Sequence, residues 1–460
     1  MKKFKSLLAL LVGSLVIFTA CGGGGNETAS VDGGDVLNIA VFEGGFGHEF
    51  WDDLVERFQD DNPGVTVNMQ ISPDIESIIA PQIAVGEIPD LLQVQDYLGF
   101  MVSMVQNEEL LDLTSFFNNT QAPGRDGVVM RDIIVPGMLE STAFAPYGDG
   151  RIFKAPLHAG PMGPVYNITL FEEKGWIPPT TWDEWFDMDT MLDDPINHVE
   201  IGGGTERRSI FTYQGIHPGY LESILWPAIA GAGGMGAINA IENYEEGAWD
   251  NPAVIQVLEN LARMGTDGYL MGGTVGLDHT QSQADMMMGR ALFIPNGTWM
   301  VGEMADAPRE PGFEFAIAPV PTLQSGQPRY VLSSFGGIAI PAAAPNTDLA
   351  LEFLTFMYTA DSIQAFASLA QGVMAVHDAR IIAEEQLDPS VYNMMRAYDE
   401  GLFMLMSFAP IPPGLPIHMG NEIFDNRITP LMTGTITVEQ YVADMEDFNA
   451  QIRAHIADNE

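Results

Sequence analysis

The chain has 460 residues, 46% of them hydrophobic, and a formal net charge of −43 from 62 acidic against 19 basic residues. Such a surface repels phosphate backbones and anionic lipid headgroups, which argues against nucleic acid and bare membrane as partners. One cysteine allows no intrachain disulfide, so the fold must rest on a hydrophobic core, and this length suffices for one divided between two lobes.

At the amino end, Lys2, Lys3 and Lys5 precede an apolar run from Leu7 to Phe18, which is the length of a signal-peptide core and too short to span a bilayer. Thr19 and Ala20 then lead into Cys21. The segment resembles a bacterial lipoprotein signal, in which a Leu-small-small-Cys box is cleaved just before a cysteine that receives acyl chains; Phe18 stands where that box has leucine. The resemblance implies a signal peptide over residues 1–20, lipidation at Cys21 and attachment to the membrane at about 0.8 kcal/mol per buried CH2. Residues 21–34 are rich in Gly and small polar types and read as a flexible tether.

Val36 to Phe42 is almost continuously apolar and Val65 to Ile71 alternates, so both read as strands. Between them Trp51, Leu54, Val55 and Phe58 recur at helical spacing up to Asn62-Pro63-Gly64, which makes a β-α-β unit and places Trp51 in the core. Ser72 is the expected N-cap of a second helix, with Pro73 at its first position, Ile75, Ile78, Ile79 and Ile83 on one face, and an end near Gly86. Gln95 and Asp96 end the strand expected after Pro89-Asp90. Further on, Ala291 to Ile294 and Phe313 to Ala318 read as strands, whereas Leu351, Leu354 and Met357, and later Tyr441, Met445, Phe448, Ile452 and Ile456, form helical stripes. This alternation gives an α/β class with a parallel sheet. The Pro- and Gly-rich stretches Ala155 to Pro164 and Ala409 to Gly420 are the candidate crossings between lobes.

Several segments in order resemble the carbohydrate-type solute-binding proteins of ABC importers. Phe58 to Val67 is similar to that family's F-x-x-x-x-P-x-V-x-V segment, and Ala84-Val85-Gly86-Glu87-Ile88-Pro89-Asp90 to its A-x-G-x-x-P-D segment. Gly150 to Pro156, followed by Tyr166-Asn167 and Leu170-Phe171, resembles G-x-x-Y-x-x-P … Y-N-x-x-L-F, with Phe153 in place of tyrosine. Pro179-Thr180-Thr181-Trp182-Asp183-Glu184 resembles the P-x-T-W-D-E helix start, with Thr181 as N-cap and Glu184 completing a capping box. Gly289-Arg290-Ala291-Leu292-Phe293 with Gly297-Thr298-Trp299 resembles G-x-A-A-M … G-x-W. The pieces Tyr213-Gln214-Gly215, Trp226-Pro227 and Ile294 to Trp299 are closest to binders of amino sugars or short oligosaccharides.

The resemblance implies a two-lobe, periplasmic-binding-protein-like (type II) α/β fold with a ligand cleft between lobes. One lobe would span residues 35–157 and 334–383, the other 158–333 and 384–460. It further implies a monomer without cofactor or metal, not an enzyme, that captures a sugar and delivers it to the permease subunits. A sugar offers hydroxyl rims and apolar faces, so its site needs an aromatic platform and amide or carboxylate partners. The expected contacts are Trp299, where the family's Gly-x-Trp stacks on a ring; Glu43 and Phe46 beyond the first strand; Gln95 and Asp96; Trp226; Asn296; and Phe335 and Gly336 at the return crossing. Trp182 reads as packing. Gly231 to Gly236 satisfies G-x-G-x-x-G without a β-branched strand before it, so a dinucleotide is not expected, and Met286 to Met288 reads as core filling. A surface glycoside-active enzyme and a non-transport sugar receptor of the same fold remain the alternatives.

Overall fold

Eleven strands run through the described residues: β1 (Val36–Phe42), β2 (Thr66–Ser72), β3 (Leu91–Gln93), β4 (Ala155–Asn167), β5 (Val199–Ile201), β6 (Gly204–Glu206), β7 (Ser209–Phe211), β8 (Ala291–Gly297), β9 (Phe315–Ile317), β10 (Tyr330–Ala339) and β11 (Leu402–Met404). The computed structural model describes residues 35–94, 100–412 and 414–459. Cys21, with the signal and tether expected around it, and the pair Gln95 and Asp96 lie outside the described residues. No helix among the described residues is long and apolar enough to cross a membrane.

Nine of the strands share one sheet in the order β2-β1-β3-β10-β4-β8-β7, with β11 on β10 and β9 on β4. The β1–β2, β1–β3 and β7–β8 pairs are parallel, and the β3–β10, β10–β4 and β4–β8 pairs are antiparallel. The sheet is therefore mixed, with parallel flanks joined through an antiparallel centre.

That centre is built by two unusually long strands, β4 with 13 residues and β10 with 10. Each passes from one hydrophobic core into another. Leu157, Ala159 and Ile338 pack with Val41, Phe50 and Phe366, whereas Met162, Tyr166 and Leu332 pack with Trp185, Trp226 and Trp249. Composition marks Ala155 to Pro164 as a crossing segment, and the structure makes it a fully buried strand despite Pro156, Pro161 and Pro164. Pairing with neighbours on both sides overrides the poor strand propensity. Pro164 faces Pro295 across the β4–β8 ladder, so two residues lacking N–H groups share one position, and the Pro164 carbonyl accepts from Ala318 N–H instead.

The helix Glu49–Asp61 buries Phe50, Trp51, Leu54 and Phe58, and Asn62 N–H closes it on the Phe58 carbonyl. The next helix corrects an expectation: it spans Ile75–Ala84, and Ser72 is the last residue of β2 rather than its cap. Ser72 Oγ accepts Asp74 N–H at 3.1 Å, so the serine shapes the turn before the helix. Pro81 lies within this helix. The strand expected from Val65 runs one residue later, and that expected over Phe313 to Ala318 is only β9. Gly231 and Gly233 belong to the helix Glu222–Gly233 and Gly234 separates it from Met235–Glu242, so this glycine cluster is helical and not a phosphate loop. Met286 and Met287 are core residues beside Phe315. Tyr441, Met445 and Ile452 are buried on the closing helix Val438–Asn459.

Thr181 caps the helix Trp182–Leu192, accepting Glu184 N–H at 3.2 Å while the Glu184 carboxylate accepts Thr181 N–H at 3.3 Å. Trp182 and Trp185 behind the cap are buried. Thr181→Ala is expected to cost about 1 kcal/mol in urea unfolding, because one orphaned helix donor loses its partner.

Candidate functional site

Ligands of open α/β sheets bind beyond the carboxyl ends of the strands, and here the ends of β1 and β8 converge. The loop after β1 carries Glu43 to Gly47, anchored by Glu43 N–H on the Ser72 carbonyl at 3.2 Å. Phe46 sets its ring edge against His158 with centroids 4.8 Å apart and lies 5.4 Å from Phe366. From the other core, β8 ends at Gly297 and leads into Trp299. The indole folds over Gly297, where a Cβ would fall 2.1 Å from a ring carbon, so only glycine fits beneath it. Tyr220 lies 6.4 Å from the indole between centroids, and a Cβ on Gly45 would stand 3.1 Å from the Trp299 Cβ. Segments attached to the two cores thus meet at Trp299, which keeps part of its surface open.

The floor between them is the β4–β10 ladder. Ser334 Oγ donates to the Gly160 carbonyl at 3.1 Å, and a Cβ on Gly160 would lie 2.6 Å from Thr298 Oγ1. Gly336 pairs with His158, and the register shifts between Gly336 and Gly337. Such a bulge turns neighbouring side chains toward a site. Phe335, part-buried, rests 5.4 Å from Phe144.

Two residues corrected by the structure are Trp226 and Asn296. Trp226 is 2% exposed and ringed by Trp249, Phe408 and Phe424, so it is a core tryptophan rather than a platform. Asn296 has no exposed surface, and its Oδ1 accepts Gly297 N–H at 2.9 Å, so it shapes the turn into Trp299. Glu43, Phe46, Trp299, Phe335 and Gly336 stand at the junction or its floor.

Sequence reasoning missed Gln93, His158 and Glu222. Each follows or interrupts an apolar run, where a polar residue carries no periodic signal. Burial lowers the His158 imidazole to about 4, so the ring is neutral at pH 7. Glu222 opens the helix that follows the turn Pro218–Leu221, and loss of water around its carboxyl pushes it up to about 7. Nearby, His279 Nε2 stands 3.5 Å from a Glu303 oxygen and its ring lies 5.6 Å from that of His217. No group of three or more His, Cys, Asp or Glu among the described residues is arranged to hold a metal ion.

A family model described as bacterial extracellular solute-binding protein matches residues 53–380. The chain belongs to the bacterial extracellular solute-binding proteins. This solute-binding protein is 27% identical over 294 residues to the diacetylchitobiose-binding protein NgcE of Streptomyces coelicolor, an alignment covering 62% of this chain and 57% of that relative. It is 21% identical over 353 residues to a multiple sugar-binding protein of Streptococcus mutans, covering 73% and 74% of the two chains. Among solved structures, apo RafE of Streptococcus pneumoniae aligns with TM-score 0.67 and 16% identity over 91% of this chain and 98% of that one. Lmo0181 of Listeria monocytogenes, in complex with cycloalternan, aligns with TM-score 0.65 and 18% identity over 92% and 99%. These likenesses show the two-lobe periplasmic-binding-protein fold, as expected from the sequence, and the family places the protein outside the cytoplasm.

The pH dependence of stability carries a signature of His158. Its folded value of about 4 lies below the ordinary 6.5, so the unfolded chain binds the extra proton in between, and stability falls as pH drops through that window. The loss between pH 7 and pH 4 is expected to reach roughly 3 kcal/mol more in the wild type than in His158→Phe, measured by urea unfolding at both pH values.

Proposed function

We propose that this protein is the lipid-anchored, substrate-binding subunit of an ABC importer, which captures a sugar between its lobes and presents it to the permease. The observation that carries the reading is Trp299, a part-exposed indole held over Gly297 where the two cores meet, flanked by Tyr220. A flat aromatic face packs against the C–H face of a sugar ring, and the floor supplies polar groups for its hydroxyls. The ligands for which the relatives are named, diacetylchitobiose and multiple sugars, support the same class and keep amino sugars and short oligosaccharides foremost.

Lobe closure is the functional step in this reading. Both walls contact the ligand only when shut, so the closed population grows with the difference in affinity between the two states. The chain makes and breaks no covalent bond. In this reading residues 35–157 and 334–383 form one lobe and 158–333 and 384–460 the other, although Ala159, Leu387, Val391 and Met395 pack on the first core. Cys21, acylated after cleavage behind residue 20, would hold the protein to the membrane, with residues 21–34 as the tether. Neither a cofactor nor a resident metal has a part.

A thermal-shift screen of the protein lacking residues 1–34 against mono- and oligosaccharides, amino sugars included, tests the reading. A rise in Tm with one sugar, recovered unaltered, is the expected result; consumption of the sugar would make the protein an enzyme. Trp299→Ala should weaken that binding by about 1 to 2 kcal/mol while the protein remains folded, and unchanged affinity would remove the indole from the site. In cell fractionation, Cys21→Ser should leave the membrane fraction; retention there would end the lipid-anchor proposal.

A further inference from the structure

The floor of the cleft holds two buried polar side chains, Gln93 and His158, and the imidazole of His158 has a nitrogen without a hydrogen-bond partner among the described residues. β10 runs between β3 and β4, with Ile338 opposite Gln93 on one side and Gly336 opposite His158 on the other. A Cβ placed on Gly336 would lie 2.7 Å from His158 Nδ1 and 3.7 Å from Gln93 Nε2, so both groups flank one point on one face of the sheet. Any larger residue at 336 would fill that point.

Gln93 is 4% exposed and His158 5%. Gln93 Oε1 accepts Phe42 N–H at 3.2 Å. That bond fixes the orientation of the amide, because an N–H donor must face the oxygen, and it leaves Nε2 on the Gly336 side. His158 Nδ1 is buried without a hydrogen-bond partner among the described residues. Phe46 covers one side of the imidazole from the loop after β1. Buried polar groups are almost always paired, and leaving one unpaired costs about 1 to 3 kcal/mol. An imidazole nitrogen in a nearly sealed floor, without a partner among the described residues, is open to a group brought to it.

We propose that Gln93 and His158, on either side of Gly336, bind neighbouring hydroxyl groups of the captured sugar. The inference rests on the sugar-binding reading and names the polar half of that site, as Trp299 is its apolar half. The chemistry matches a neutral polyhydroxy ligand: the amide donates, the neutral imidazole donates from one nitrogen and accepts at the other, and each sugar hydroxyl can do both. Neither Gln93 nor His158 carries a negative charge, so neither residue selects for a cationic amino group.

The sugar identified by the screen is titrated calorimetrically into wild type, His158→Phe and Gln93→Glu. Phenylalanine keeps the ring packing against Phe46, and glutamate keeps the acceptor for Phe42 N–H while removing the amide donor. Each variant is expected to raise Kd about tenfold with Tm held within a few degrees, and imidazole 15N signals of wild-type His158 should move when the sugar is added. Affinity within twofold of wild type in a folded His158→Phe, or 15N signals unmoved at saturation, would overturn the assignment while leaving the sugar reading intact. Should either variant fail to fold, the wild-type 15N titration decides alone. If the wild type binds none of the sugars, the sugar reading fails and this one with it.

Discussion

The pairing of β4 with β10 is the constraint on which the rest of the structure depends. Seven residue pairs from Leu332↔Met162 to Ile338↔Ala155 tie the strands together, and each strand contributes side chains to both large cores. A single ladder therefore fixes the relative register of the two lobes. It also explains why prolines and glycines crowd a buried central strand: where β4 passes from one core to the other, close backbone approach and local bending matter more than strand propensity. The Thr298 hydroxyl sits against Gly160 and the His158 ring against Gly336, positions where any side chain would collide.

The site inherits its chemistry from this arrangement. Burial in the floor keeps His158 neutral, and the same exclusion of water raises Glu222 at the start of the helix Glu222–Gly233. Hydrogen bonds made in such a water-poor floor are stronger than on the wet surface. In the proposed cycle, a ligand that contacts both walls favours the closed form by its difference in affinity for the two states.

Much of the fold was legible in the sequence. The β-α-β start came from apolar runs with periods of two and 3.6, and the capping box at Thr181 and Glu184 from residue types that satisfy helix donors locally. Where local rules competed, the reading slipped. Ser72-Pro73 has the composition of a helix cap, yet β2 extends through Ser72 by pairing with Phe42, and the helix waits until Ile75. Trp226 and Asn296 resemble site residues by motif, but side-chain direction on a helix or strand is set by packing, and both turn inward.

The sequence alone determined the class of fold and the family order of its motifs, because periodicity and capping are properties of neighbouring residues. The floor was decided only by tertiary structure. Gln93, His158 and Gly336 come from three strands far apart in the chain, and nothing local marks one histidine in an apolar run as different from a packed one. Their meeting depends on which strands pair and in what register, which is settled by the burial of both cores together.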